Sequence, residues 1–187
     1  MKLAKILALA ITIISFTITN AQTKKINTEK SKLTWVGKKV TGKHEGTVNF
    51  KEGNLIFKAG KLKGGNFTVD MTTINATDLE GEYQQKLNGH LKAEDFFGTD
   101  KYPTSKLVIK KIANLGKGKY KITADLTIKD ITLPNVFEMQ VNKNNATASV
   151  KVDRTKYGIK YNSGSIFSGL GDKTIDDIFE FNVNLVY

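Results

Sequence analysis

The sequence predicts an all-β fold, an antiparallel meander of about eight or nine strands interrupted once by a helix. Three observations carry this. Apolar and polar residues alternate with period two through most of the chain, which puts one face of each strand against a core. Gly- and Asn-rich clusters punctuate the alternation at hairpin spacing. One segment, TDLEGEYQQKLNGHLKAEDFFGTDKYP from Thr77 to Pro103, departs from it with helical spacing. Closing the meander into a barrel would remove its exposed edges. Two packed sheets satisfy the same alternation, so barrel and sandwich both remain open at this point.

The elements follow in order. Leu33 and Trp35 alternate with polar neighbours, as do Val48 and Phe50, then Leu55 and Phe57, then Phe67, Val69 and Met71. Turns are expected at Glu52-Gly53-Asn54 and Lys63-Gly64-Gly65-Asn66, where residues that tolerate positive φ cluster. Thr77-Asp78-Leu79-Glu80 has the form of a capping box. Leu79, Tyr83, Leu87 and Leu91 then recur every four residues, with His90 beside Leu91, predicting an amphipathic helix of three to four turns. Gly81 and Gly89 each weaken it by up to about 1 kcal/mol, so packing must hold it. Phe96 and Phe97 follow, and Pro103 marks the return to strand. Leu107 and Ile109 open the second half. Tyr120, Ile122, Ala124, Leu126 and Ile128 share one side of a long strand, and Gly116-Lys117-Gly118 precedes it as a turn. Met139 and Val141, then Ala146, Ala148, Val150 and Val152, flank a turn at Asn142–Asn145. The last strand is the cleanest, with Phe179, Phe181, Val183, Leu185 and Tyr187 on one side.

The chain begins MKLAKILALAITIISFTITNAQT. Lys2 and Lys5 precede an apolar run from Ile6 to Ile18 and the small-residue pattern Thr19-Asn20-Ala21. That is the layout of a cleaved secretory signal peptide, expected at residues 1–21 with the cut near Ala21, and the run is short for a membrane crossing. Residues 22–187 are expected to form one domain. The sequence has no cysteine, which excludes disulfides, thiolate metal sites, a cysteine nucleophile and a lipidated cysteine. An exported chain without disulfides fits a periplasm-like space.

Formal net charge is +11, and removing Lys2 and Lys5 lowers it by two, to +9. Arg154 is the only arginine. Sequence-specific nucleic-acid readers lean on the arginine fork, so no nucleic-acid partner is expected. Scattered lysine reads as a solvated face that also favours transient contact with anionic lipid head groups. Two histidines without cysteine argue against a metal site, since HEGTV lacks the second histidine of a zinc helix. GSIFSG is not a nucleophile elbow, and GLGDKT lacks P-loop spacing. The neighbouring carboxylates Asp176-Asp177 and Glu94-Asp95 are adjacent in sequence, where strand side chains point apart. The expectation is a protein that is not an enzyme.

The segment HLKAEDFFGTDKYP resembles the signature of the YceI family, with His90-Leu91, Asp95-Phe96-Phe97 and Tyr102-Pro103 at similar spacing. The similarity extends over SKLTWVGKKVTGKHEGTVNFKEGNL, ADLTIKDITLPNVFEMQV, VDRTKYGIKYNSG and IDDIFEFNVNLVY, essentially the whole chain after the leader. One departure is Lys86-Leu87-Asn88-Gly89, where family members often carry an arginine-aspartate pair. The resemblance implies an extended, eight-stranded, lipocalin-like antiparallel barrel with an inserted helix that encloses an isoprenoid lipid or quinone tail. The helix and the two phenylalanines would then form a lid or end plug.

On this reading the chain is an exported binding protein for an isoprenoid or related apolar lipid, with no other cofactor. Each buried CH₂ contributes about 0.8 kcal/mol, so a long tail binds with few polar contacts. Ligand-facing candidates on the strands are Trp35, Phe50, Phe57, Phe67, Val69, Met71, Ile109, Ile122, Leu126, Met139, Val150 and Phe181, although alternation does not decide which face turns inward. His90, Phe96 and Phe97 are the candidates from the helical segment. Core packing is the alternative for Trp35 and both phenylalanines, and a structural hydrogen bond at the helix end for His90. His44 is a candidate for the barrel mouth. Arg154 and Lys156 read as surface or salt-bridged groups, with a pyrophosphate contact as the alternative. A homodimer through a strand edge or the helix is also open. The competing functional class is a structural or stress-related envelope protein with a packed core, acting through its surface.

Overall fold

The computed structural model describes residues 20–187. All but the last two residues of the expected leader lie outside them. The strands are β1 (Gln22–Lys25), β2 (Lys32–Lys39), β3 (Gly42–Lys58), β4 (Lys61–Ala76), β5 (Thr104–Gly116), β6 (Lys119–Ile128), β7 (Ile131–Val141), β8 (Asn145–Asp153) and β9 (Ile178–Val186). Strands β2 to β9 pair antiparallel in sequence order, and β9 returns to β2, closing an eight-stranded barrel. The barrel expectation therefore holds, and the sandwich falls. β1 adds to β3 at residues 54–57, beyond the stretch that pairs with β2.

The barrel is elongated because β3 and β4 are 17 and 16 residues long. A 17-residue strand extends on the order of 55 Å. The turns expected at Glu52–Asn54 and Lys63–Asn66 are not turns. β3 and β4 run straight through both, and the chain reverses instead at Ala59-Gly60, both at positive φ. Gly53 and Gly65 are there for close approach. A Cβ on Gly53 would lie 2.5 Å from the Phe67 ring, and one on Gly65 would lie 2.7 Å from the Asn54 carbonyl oxygen. Register shifts between Phe50 and Glu52 and between Thr47 and Asn49 mark bulges. The first adds its residue to β3, which buries Val48 and Phe50 and then Leu55 and Phe57; the second falls on β4, which buries Phe67 and Met71 and then Ile74 and Ala76. Bulges of this kind bend long strands around a barrel.

Helix α1 (Gly81–Lys92) and the long loop of residues 154–177 cover one end of the barrel. The capping box does not form. The helix starts three residues later than expected, at Gly81 (φ 59°), behind Glu80, which makes no capping bond through its side chain. Asp78 reaches back to β3 instead, accepting from the Glu45 backbone N–H at 3.1 Å and lying 2.8 Å from His44 Nδ1. Only Leu91 of the expected stripe is buried, Leu87 is partly so, and Tyr83 is exposed. Two side-chain amides fix the helix to β4. Asn88 accepts from the Ala76 N–H (2.7 Å) and donates to Asn75 Oδ1 (2.7 Å), and Gln84 donates to the Ala76 carbonyl (2.7 Å).

Candidate functional site

The barrel interior is filled at both ends and open between them. At the end with the β3–β4 and β5–β6 hairpins, Phe57, Ile109 and Ile122 point inward and are buried, with Leu55, Leu62 and Tyr120 around them. Lys24 Nζ sits over the Phe57 and Tyr187 rings there, 5.4 and 4.9 Å from their centroids. Above this packed layer lies a cavity of about 110 Å³. On this scale about 10–15 Å³ seats a water, and an apolar void of about 150 Å³ stays dry and binds benzene. Among the described residues, Ser105 and Lys106 are the only polar ones on its wall. The site is therefore suited to hydrocarbon and offers little to a polar ligand.

Nine of the sequence candidates stand on this wall. They are Phe50, Phe67, Val69, Met71, Leu126, Met139, Val150 and Phe181 from the strands, and Phe97 from the segment after α1. Phe57, Ile109 and Ile122 face the interior but fill its packed end. Trp35, His90 and Phe96 do not reach the cavity. They line a second, smaller void of about 50 Å³ beneath α1, with Leu87, Leu91, Phe179 and the residues Lys38, Lys39 and His44. The adjacent phenylalanines thus divide the work, Phe97 facing the cavity and Phe96 packing under the helix against Phe179 and Phe97 (centroids 5.9 and 5.2 Å).

The segment carrying Phe97 is held from below. Lys129, in the β6–β7 hairpin, donates to the carbonyls of Glu94 and Phe96, each at 2.8 Å. His90 makes no structural hydrogen bond at the helix end. Its ring packs between Phe96 and Tyr161 (centroids 5.3 and 4.3 Å), and its Nε2 is buried without a partner. Trp35 donates from Nε1 to the Thr47 carbonyl at 3.3 Å and lies against Gly46.

Arg154 is a buried strut. Its guanidinium donates to the carbonyls of Ile159 (2.8 Å), Ile175 (3.0 Å) and Asp176 (3.0 Å), tying the 154–177 loop together, and Asp177 lies 3.8 Å away. The side chain is buried and each guanidinium nitrogen already donates to a carbonyl, which leaves the pyrophosphate alternative without support. Burial presses the Arg154 charge downward in pKa, against the pull of Asp177, Asp153 and Asp176. For Asp177 burial works toward a raised value. The hydroxyls of Ser163 and Ser165 and the Arg154 charge outweigh it, holding the carboxyl below its usual range. Among the described residues no three His, Asp or Glu side chains gather to hold a metal ion.

Six wall residues were not among the ligand-facing candidates: Val48, Ile128, Phe137, Val152, Val183 and Leu185. All but Phe137 stood on alternating faces in the sequence reading, and Phe137 lies two residues from Met139, where extending the alternation would have found it. Ile74 sits past a bulge, where the parity flips and the alternation gives no warning.

Comparison with known proteins agrees with this architecture. The YceI-like domain family matches residues 25–187. A UPF0312 protein of Shewanella denitrificans is 34% identical over 76 residues, 41% of this chain and 38% of that protein. One from Staphylococcus aureus is 35% identical over 86 residues, 40% of this chain and 47% of that protein. The matched stretches thus span less than half of each relative. Among solved structures, Burkholderia cenocepacia BcnA superposes with a TM-score of 0.69 at 21% identity, covering 87% of this chain and 99% of that one. A polyisoprenoid binding domain from Saccharophagus degradans gives 0.56 at 13% identity, covering 86% and 95%.

Proposed function

The chain belongs to the YceI-like domain family, and from that premise we propose that it is an exported carrier holding the apolar tail of an isoprenoid or related lipid inside the barrel. The observation that carries the reading is the cavity, open between two packed ends and walled by apolar side chains. A packed barrel acting through its surface has no use for such a space. The structural neighbour from Saccharophagus degradans, described as a polyisoprenoid binding domain, supports the same ligand class. The cavity admits a segment of hydrocarbon, and a longer tail is accommodated by movement of the Phe97 segment. No catalytic role is assigned to any residue.

The leader pattern at residues 1–21 supports delivery to a periplasm-like space. Collection of the lipid at a membrane surface belongs to the same reading. Ile166 and Phe167 are exposed on the 154–177 loop, with the exposed Lys160 and Lys173 in the same loop. Apolar tips with cationic flanks suit anionic head groups.

A titration with retinol, an isoprenoid that fluoresces on burial, tests the reading. Wild type is expected to bind it, and Val150→Phe, which pushes a ring into the cavity, is expected to weaken binding at least tenfold while keeping the fold. Equal binding by both proteins would move the ligand out of the barrel.

A further inference from the structure

The barrel wall is zipped unevenly. β7 pairs with β6 along almost its whole length, from Ile131↔Ile128 to Gln140↔Lys119. β8 pairs with β9 from Asn145↔Val186 to Asp153↔Ile178. Between β7 and β8 only three partners meet, Met139↔Ala148, Gln140↔Thr147 and Val141↔Ala146. The next shortest ladders of the ring, β2–β9 and β4–β5, have five each. Beyond Met139↔Ala148 the facing edges, Ile131 to Glu138 and Ser149 to Asp153, carry no rungs.

Local chemistry accounts for the gap. Pro134 lies within the unpaired half of β7 and has no N–H to offer a neighbour. One side chain crosses in place of rungs, Asn135 Nδ2 donating to the Lys151 carbonyl at 2.9 Å. The Oδ1 of Asn135 is buried with no partner. Directly behind the seam is the cavity, which Phe137, Val150 and Val152 line from its two sides. These three side chains are buried, so apolar packing closes the wall where backbone hydrogen bonds do not. Outside, Val136 and Ile131 are exposed along the approach.

We propose that the β7–β8 seam is a lateral gate through which an apolar chain enters the cavity, with Asn135 as its latch; this rests on the carrier function proposed above. Parting two strands elsewhere in the ring breaks a ladder of N–H···O=C bonds. Here one side-chain hydrogen bond and the contacts of three apolar side chains stand in the way. A side entry also lets a long tail slide in with its head group outside, without lifting α1 from the end of the barrel.

The absence of native cysteine makes a reversible staple clean. Glu138→Cys with Ser149→Cys bridges the first unpaired positions beyond Met139↔Ala148. A control staple, Lys121→Cys with Glu138→Cys, bridges partners in the intact β6–β7 ladder. Retinol uptake is followed by stopped-flow fluorescence on each protein, oxidised and reduced, with disulfide formation confirmed by mass. The gate predicts uptake at least tenfold slower in the oxidised seam variant, restored on reduction, with unchanged final occupancy. The control staple leaves the rate unaltered, and Asn135→Ala speeds both entry and release. Equal rates with the seam open and stapled, or equal slowing by the control, would overturn the gate while leaving the carrier reading intact. A wild type that takes up no retinol removes the carrier reading, and the gate with it.

Discussion

Gly46 shows how tightly one residue ties the fold to its lid. It pairs with Trp35 on β2 and with Ala76 on β4, and a Cβ there would stand 1.9 Å from the Asn75 carbonyl oxygen and 2.7 Å from the Trp35 ring. Backbone cannot yield as a flexible side chain does. Gly46→Ala is expected to cost about 3 kcal/mol, read as a lowered urea midpoint at unchanged slope. Asp177 belongs to the same scale. Its carboxyl is depressed by the serine hydroxyls and Arg154 despite its burial, so its stabilisation is complete above the unfolded value of about 3.9 and is lost as pH falls through the lower folded value. Asp177→Asn should therefore be less stable than wild type at neutral pH, by about 1–2 kcal/mol. The gap should shrink as melts are taken from pH 4 toward pH 2. A gap independent of pH would mean that the charge of Asp177 contributes nothing.

At the scale of elements, α1 is held by its amides more than by its apolar face. Asn88→Ala strips the Ala76 N–H of its acceptor where Ala76 is fully buried, a loss of about 1–3 kcal/mol. Hydrogen exchange should quicken in α1 while β6 and β9 stay protected; uniform acceleration would show that the helix unfolds only with the barrel. The strands were legible because alternation is a local property, and β6 and β9 match their expected faces residue by residue. The full length of β3 and β4 was not, because Gly53 and Gly65 look like turn residues and are in fact sites of close approach. Asp78 was read as part of a cap, yet its partner His44 lies 34 residues away, a distance that spacing rules do not reach. Alternation also distinguishes inward from outward but not packed from open. Ile122 and Leu126 share a face, and only the combined bulk of eight strands decides that the first fills the barrel and the second borders a cavity.

For the whole molecule, the closed ring, its packed lower end and the helix-covered upper end converge on a single function for the space between. Burial of hydrocarbon needs no catalytic group and few polar ones, which matches a cavity wall whose only polar members among the described residues are Ser105 and Lys106. The most direct measurement is native mass spectrometry of the protein purified from its own host, with solvent extraction of whatever accompanies it. The account predicts a mass above the bare chain that organic solvent removes, yielding a prenyl lipid or quinone. A bare mass, with no uptake of added polyprenyl lipid, would contradict it and return the search to the surface of the barrel.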